Sequence, residues 1–194
     1  ISSEVMPAAV GEIATYCESH ISPPPATRLF KYPEKLIGAF RTEQPHVIGF
    51  SNYVWNAQLS YEFAKVIKAK FPRTTVVMGG PNFPLSKEHQ ESFLRARPAI
   101  DFFIEKEGEL PFCNLIRRLM ELEFDIERVK KEKLGGVRSI AADGMFCAGS
   151  VMERINDLSE IPSPYLSGKL DEFFDDKLMP IISSRDASCD ALLY

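Results

Sequence analysis

The chain has 194 residues, 45% apolar and 26% charged, which is ordinary globular usage and enough for one domain with an appendage. A net charge of −4 lacks the basic excess of an electrostatic nucleic-acid binder, and no apolar run reaches the ~18–20 residues of a bilayer span, so neither nucleic acid nor membrane is expected as a partner. The same figures exclude collagen, coiled coil, mucin stalk and disordered tail.

Four cysteines, Cys17, Cys113, Cys147 and Cys189, stand far apart with no CxxC pair. That spacing suits neither a zinc ribbon nor a disulfide scaffold, and it predicts reduced, mostly buried thiols in a cytoplasmic protein. The chain opens Ile1-Ser2-Ser3, with no initiator Met and no signal-like segment, and reads as a fragment.

In chain order, residues 5–19 carry Val10, Ile13, Ala14 and Cys17 at helical spacing. Ser22-Pro23-Pro24-Pro25 stops that helix. Leu29-Phe30 is strand-like, and Pro33 opens a short helix through Phe40. Residues 46–51 (HVIGFS) form a continuous apolar run, suited to a strand of a parallel sheet. Residues 56–71 are the clearest helix, with Leu59, Phe63, Val66 and Ile67 as its stripe. Residues 74–78 (TTVVM) read as the next strand and end in Gly79-Gly80-Pro81. A short helix is expected around Phe93 and Leu94, then a strand over 100–104, then a helix over 111–122. Residues 123–133 read as a charged, solvated stretch, and 135–146 as a hairpin about Asp143-Gly144. Residues 151–180, punctuated by Pro162, Pro164 and Pro180, read as a linker leading out of the domain.

Strand–helix alternation with apolar strands predicts an α/β domain with a parallel sheet flanked by helices. Ligands of such sheets bind outside the carboxyl ends of the strands. Three loops fall there: Ser51 to Asn56, Gly79 to Asn82, and Glu107 to Glu109. Gly79 and Gly80 would let a ligand approach the backbone, or simply make a tight turn before Pro81. Ser51 offers a hydroxyl or a cap, and Tyr53 and Trp55 offer amphipathic walls or packing onto the sheet edge. Glu107 and Glu109 around Gly108 equally suit a helix amino terminus. A dinucleotide fingerprint, a P-loop, a GxSxG elbow and an HExxH motif are all missing, and His20, His46 and His89 are scattered. A free-standing reductase therefore has no visible machinery, and no catalytic residue or metal ligand is assigned.

Taken together, PHVIGFSNYVWN, VVMGGPNFP, DFFIEKEGELPF, GGV and DLSEIPSPYL resemble the N-terminal cobalamin (B12)-binding domain of B12-dependent radical S-adenosylmethionine proteins, over roughly residues 5–185. The resemblance implies a Rossmann-like, flavodoxin-like fold with the corrinoid over the carboxyl edge of the sheet. Its motifs map onto Ser51 and Tyr53, Gly79 and Gly80, and Glu107 and Gly108 as cofactor contacts, and the loop reading adds Trp55, Asn56 and Pro81 as candidates. Tyr53 stands where the family has Leu, and Lys106 where it has the first Gly of Gly-Glu-Gly-Glu. The cobalt-ligating Asp-x-His-x-x-Gly signature is absent, so no lower cobalt ligand is assigned.

In this family Asp157 to Pro164 would lead into the radical domain, which implies a cobalamin domain over 1–150 and a linker with a truncated radical domain over 151–194. Aligned without gaps, Ala187, Ala191 and Tyr194 stand at the three cysteine places that hold that domain's [4Fe–4S] cluster; a two-residue deletion instead brings Cys189 to the second, and either way one thiol remains. The cluster and S-adenosylmethionine are therefore expected only in an intact parent protein. Its radical domain is the implied partner, and this chain alone is not expected to be catalytic. The alternative is a docking domain of the same family that holds no corrinoid.

Overall fold

The structure, a computed structural model, describes residues 6–174. The cysteine-motif comparison at residues 185–194 lies outside them. A five-stranded sheet in the order β1-β2-β3-β4-β5 forms the centre. Its strands are β1 (Val47–Ser51), β2 (Thr75–Gly79), β3 (Phe102–Ile104), β4 (Val137–Ile140) and β5 (Phe146–Ala148). The first three are parallel, as expected; β4 and β5 run antiparallel. The sheet is therefore mixed rather than wholly parallel, because the expected hairpin about Asp143-Gly144 does not stand apart but adds to the edge of β3.

Alternation along the strands separates two apolar layers. Val76, Met78 and Phe103 face α2 (Pro33–Ala39), α3 (Ala57–Lys70) and α4 (Lys87–Arg95), through Leu36, Ala64, Ile67 and Leu94. Val77, Phe102 and Ile104 face α1 (Ala8–His20), α5 (Glu109–Glu121) and α6 (Ile126–Lys130), through Cys17, Leu115, Leu119 and Val129. The two crossover helices α3 and α4 share a face, as two like-handed crossovers require when the strand order advances in one direction.

Three sequence expectations change. Leu29-Phe30 forms no strand; Phe30 packs beside α2 and α3 instead. The charged stretch 123–133 contains α6, whose Val129 is buried while its polar side chains cover the surface. The stretch read as a linker does not lead away: its second half returns to α1. Pro164 packs where Gly11 lacks a side chain (a Cβ there would lie 2.9 Å from Pro164 Cβ), Thr15 Oγ1 donates to the Pro162 carbonyl at 2.8 Å, and Lys169 pairs with Glu18 at 2.5 Å. Leu170 and Phe173 close a small cluster with Met6 and Leu29. Its weak periodicity hid two apolar anchors that need only a short 3-10 turn, Asp171–Phe173.

At the amino ends of the strands, buried Asp101 holds both helical layers. Its carboxylate accepts from the Val76 amide at 2.8 Å and pairs with Lys68 of α3 at 2.9 Å and Lys130 of α6 at 3.0 Å. Both carboxylate oxygens thus have a donor, which is what permits a charge there.

Phe173 has 0% exposure. Phe173→Ala is expected to cost about 3–5 kcal/mol in urea unfolding; a cost within ~0.5 kcal/mol, the size of a neutral surface change, would show that this segment does not belong to the core.

Candidate functional site

Parallel register aligns the carboxyl ends of the first three strands: Ser51 lies opposite Gly79, and Gly79 opposite Ile104. The three loops singled out by sequence therefore leave the sheet side by side on one rim.

In the first loop, Asn56 is a buried brace. Its Oδ1 accepts from the Tyr53 amide at 2.8 Å and its Nδ2 donates to Ser51 Oγ at 3.0 Å. With one lone pair of Ser51 Oγ engaged, its hydroxyl proton is oriented away from Asn56 and can be donated outward. Tyr53 and Trp55 stack with centroids 4.7 Å apart and planes 8° from parallel, and Trp55 is 67% exposed. Val54 of this loop and Leu85 of the next (96% exposed) also present apolar surface to solvent.

The second loop is tied to the first through a residue that sequence reasoning passed over. Asn52, 1% exposed, donates its amide to the Gly79 carbonyl at 2.7 Å and its Nδ2 to the Asn82 carbonyl at 2.6 Å; the Asn82 amide returns to the Asn52 carbonyl at 3.1 Å. Gly80 makes this possible. Its φ is +131°, and a Cβ would lie 2.8 Å from the Asn52 carbonyl oxygen. The one available signal was an Asn just past each of two neighbouring strands. Pro81 is exposed beside this junction, and Phe83 anchors the loop by stacking on Phe103 at 3.8 Å.

The third loop turns through Lys106, at φ +65°, into α5. The space that Gly108 leaves is taken by α1: a Cβ would lie 2.5 Å from Ile13 Cδ1. Glu107 pairs with Arg154 at 2.9 Å, both partly exposed. Behind the rim lies a second unforeseen group. Buried Arg138 of β4 pairs with Glu105 and donates to Gln90 Oε1 at 3.2 Å, while Gln90 Nε2 donates to the Pro84 carbonyl at 2.9 Å and to Glu105 at 3.2 Å. This network joins the second loop, α4, the end of β3 and β4.

His46 stacks on Phe124 at the opposite end of β1, His20 stacks on Tyr16 at the end of α1, and His89 Nδ1 bonds Ser86 Oγ at the start of α4. A depression of about 700 Å³, lined by Lys68, Arg73, Asp101 and Phe124, lies at the amino ends of the strands, away from the rim.

An α/β sheet with an apolar, glycine-turned rim at its carboxyl edge defines a flavodoxin-like ligand-binding domain. Residues 6–116 match the family model described as "B12 binding domain", and the chain belongs to that family. It is 31% identical over 128 residues to the cobalamin-dependent radical SAM methyltransferase TokK of Streptomyces tokunonensis, covering 66% of this chain and 18% of TokK. It is 32% identical over 127 residues to the 2-(S-pantetheinyl)-carbapenam-3-carboxylate methyltransferase of Streptantibioticus cattleyicolor, covering 66% and 17%. The cobalamin-dependent S-adenosylmethionine radical enzyme OxsB, solved with aqua-cobalamin and S-adenosylmethionine, shares the fold: TM-score 0.62 at 19% identity over 86% of this chain and 22% of OxsB. The chain thus spans about a fifth of the length of these relatives.

Burial raises the Glu12 carboxyl above its ordinary value of 4.5, and the neighbouring Glu109 charge adds to the rise. A raised carboxyl favours the fold while protonated; that contribution is full below the unfolded pKa and is lost as pH rises through the folded one. Glu12→Gln should therefore melt at a higher temperature than the parent at neutral pH, and the two curves should converge as pH falls below about 4.5.

Proposed function

We propose that this chain is the corrinoid-holding module of a larger cobalamin-dependent radical S-adenosylmethionine methyltransferase and is not catalytic by itself. The carrying observation is the rim: three strand ends in register, with exposed Trp55 stacked on half-buried Tyr53 beside exposed Val54 and Leu85. A flat macrocycle with an apolar face and amide edges fits such a surface better than a compact polar ligand does. Ser51 would donate to an edge amide, Tyr53, Trp55 and Leu85 would cover an apolar face, and the backbone at Gly79, Gly80 and Pro81 would set its height. Asn56 contributes by holding Ser51 and Tyr53, and Glu107 and Gly108 by shaping the third side. When bound, a corrinoid supplies methyl-transfer chemistry, while the protein supplies position and excludes water.

The relatives' length supports a parent in which a radical domain, its [4Fe–4S] cluster and S-adenosylmethionine lie elsewhere in the chain. The unbridged, buried thiols of Cys17, Cys113 and Cys147 support a cytoplasmic placement. No helix among the described residues is long and apolar enough to cross a membrane. One observation favours the docking alternative: the spaces at Gly80 and Gly108 are filled by Asn52 and Ile13, so those glycines are needed by the fold with or without a ligand.

Hydroxocobalamin decides between them. The corrinoid absorbance should co-elute with the chain in gel filtration, and Trp55→Ala should weaken retention about tenfold, or ~1.4 kcal/mol, with an unchanged melting temperature because Trp55 is mostly exposed. No retention by the parent chain at roughly tens of micromolar would leave the docking reading.

A further inference from the structure

Behind the second rim loop, an ion pair and an amide are buried together that the binding reading does not use. Arg138 and Gln90 are 2% and 1% exposed. Arg138 pairs with Glu105, and its Nη1 donates to the Val137 and Gly149 carbonyls at 3.0 and 2.9 Å, which fixes the guanidinium. Its Nε donates to Gln90 Oε1 at 3.2 Å. Gln90 Nε2 in turn donates to Glu105 Oε1 at 3.2 Å and to the Pro84 carbonyl at 2.9 Å.

Position 90 therefore faces two acceptors and one donor. An amide meets all three; a carboxylate could not donate, and an ammonium or guanidinium could not accept. The Pro84 carbonyl belongs to the peptide plane that leads into Leu85. On the other side of Leu85, Ser86 caps α4 and accepts from the His89 amide at 3.4 Å. Just before Pro84, Phe83 stacks on Phe103 at 3.8 Å and meets Phe93 edge-on at 5.3 Å. Leu85 is thus held from both sides while its own side chain stands 96% exposed. Ordering the backbone under an apolar side chain left in solvent costs conformational entropy and returns no packing. Such an arrangement lowers the cost of binding for a ligand that covers the side chain later.

We propose that Gln90, oriented by Arg138 and Glu105, is a positioning residue that holds Leu85 as a preformed apolar wall of the corrinoid site. The proposal rests on the corrinoid reading and deepens it. Gln90 touches no ligand and acts through the Pro84–Leu85 peptide. With the wall already in place, the corrinoid need not order the second loop, so loss of the Gln90 amide shows chiefly as faster release. Arg138 belongs to β4, so the antiparallel hairpin added to the sheet also roots the second rim loop.

The test uses the full chain and hydroxocobalamin in a cycle of Gln90→Met, Leu85→Ala and the double variant. Gln90→Met should weaken corrinoid retention about fivefold, through faster release, and should weaken it no further once Leu85→Ala is present. A general loosening of the fold would not act through Leu85 alone, so additive losses in the double variant, or no loss from either single change, would overturn the proposal. A second measurement needs neither variant nor ligand: the NMR order parameter of the Leu85 amide in the parent chain should be about 0.85, as in rigid backbone, and a value below ~0.6 would overturn the proposal. If Gln90→Met does not fold, that value decides alone. A parent chain that retains no corrinoid overturns the binding reading and the wall with it, whereas retention with an additive cycle overturns the wall alone.

Discussion

The rim depends on one close approach of backbone to backbone. Asn52 lies between the first and second loops and satisfies the Gly79 and Asn82 carbonyls, and the loops can come this near only because residue 80 has no side chain. Buried backbone polar groups must find partners. Here two loops supply partners for each other, which fixes their spacing before any ligand arrives. Tyr53, Val54 and Trp55 project from a platform fastened in this way.

Two buried charged groups hold the rest of the sheet, one at each end. Asp101 ties α3 and α6 to the amino ends of β2 and β3. Arg138, with Glu105 and Gln90, ties α4 and the added hairpin to the carboxyl end of β3. The first joins the two helical layers that the apolar clusters keep separate; the second joins α4 to the sheet edge. A fold with such clamps at both ends can expose apolar side chains on one rim without the rim collapsing onto the core. The return of residues 162–173 onto α1 reinforces the same side, since α1 also buttresses the third loop through Ile13.

Glycine carries a different meaning here from the one sequence suggests. Gly80 and Gly108 stand where a ligand could approach, yet the protein's own Asn52 and Ile13 fill those spaces. The exposed apolar side chains of the first two loops are the stronger reason to place a flat ligand on this rim, because solvent-facing aromatic and aliphatic groups gathered on adjacent loops have no role in the core.

Sequence alone determined the three parallel strands, the helices between them and the identity of the three rim loops, since local periodicity and Gly/Pro punctuation act over a few residues. The motifs in those loops also carried the family. Tertiary structure decided that β4 and β5 join the sheet, that the supposed linker docks on α1, that Asn56 braces the loop it belongs to, and that Asn52, Gln90 and Arg138 matter. Each of these depends on partners distant in the chain: Arg138 meets Glu105 and Gln90, and Thr15 meets Pro162. A buried polar residue looks like a surface one until the fold supplies its partner, so no pattern along the chain distinguishes the two.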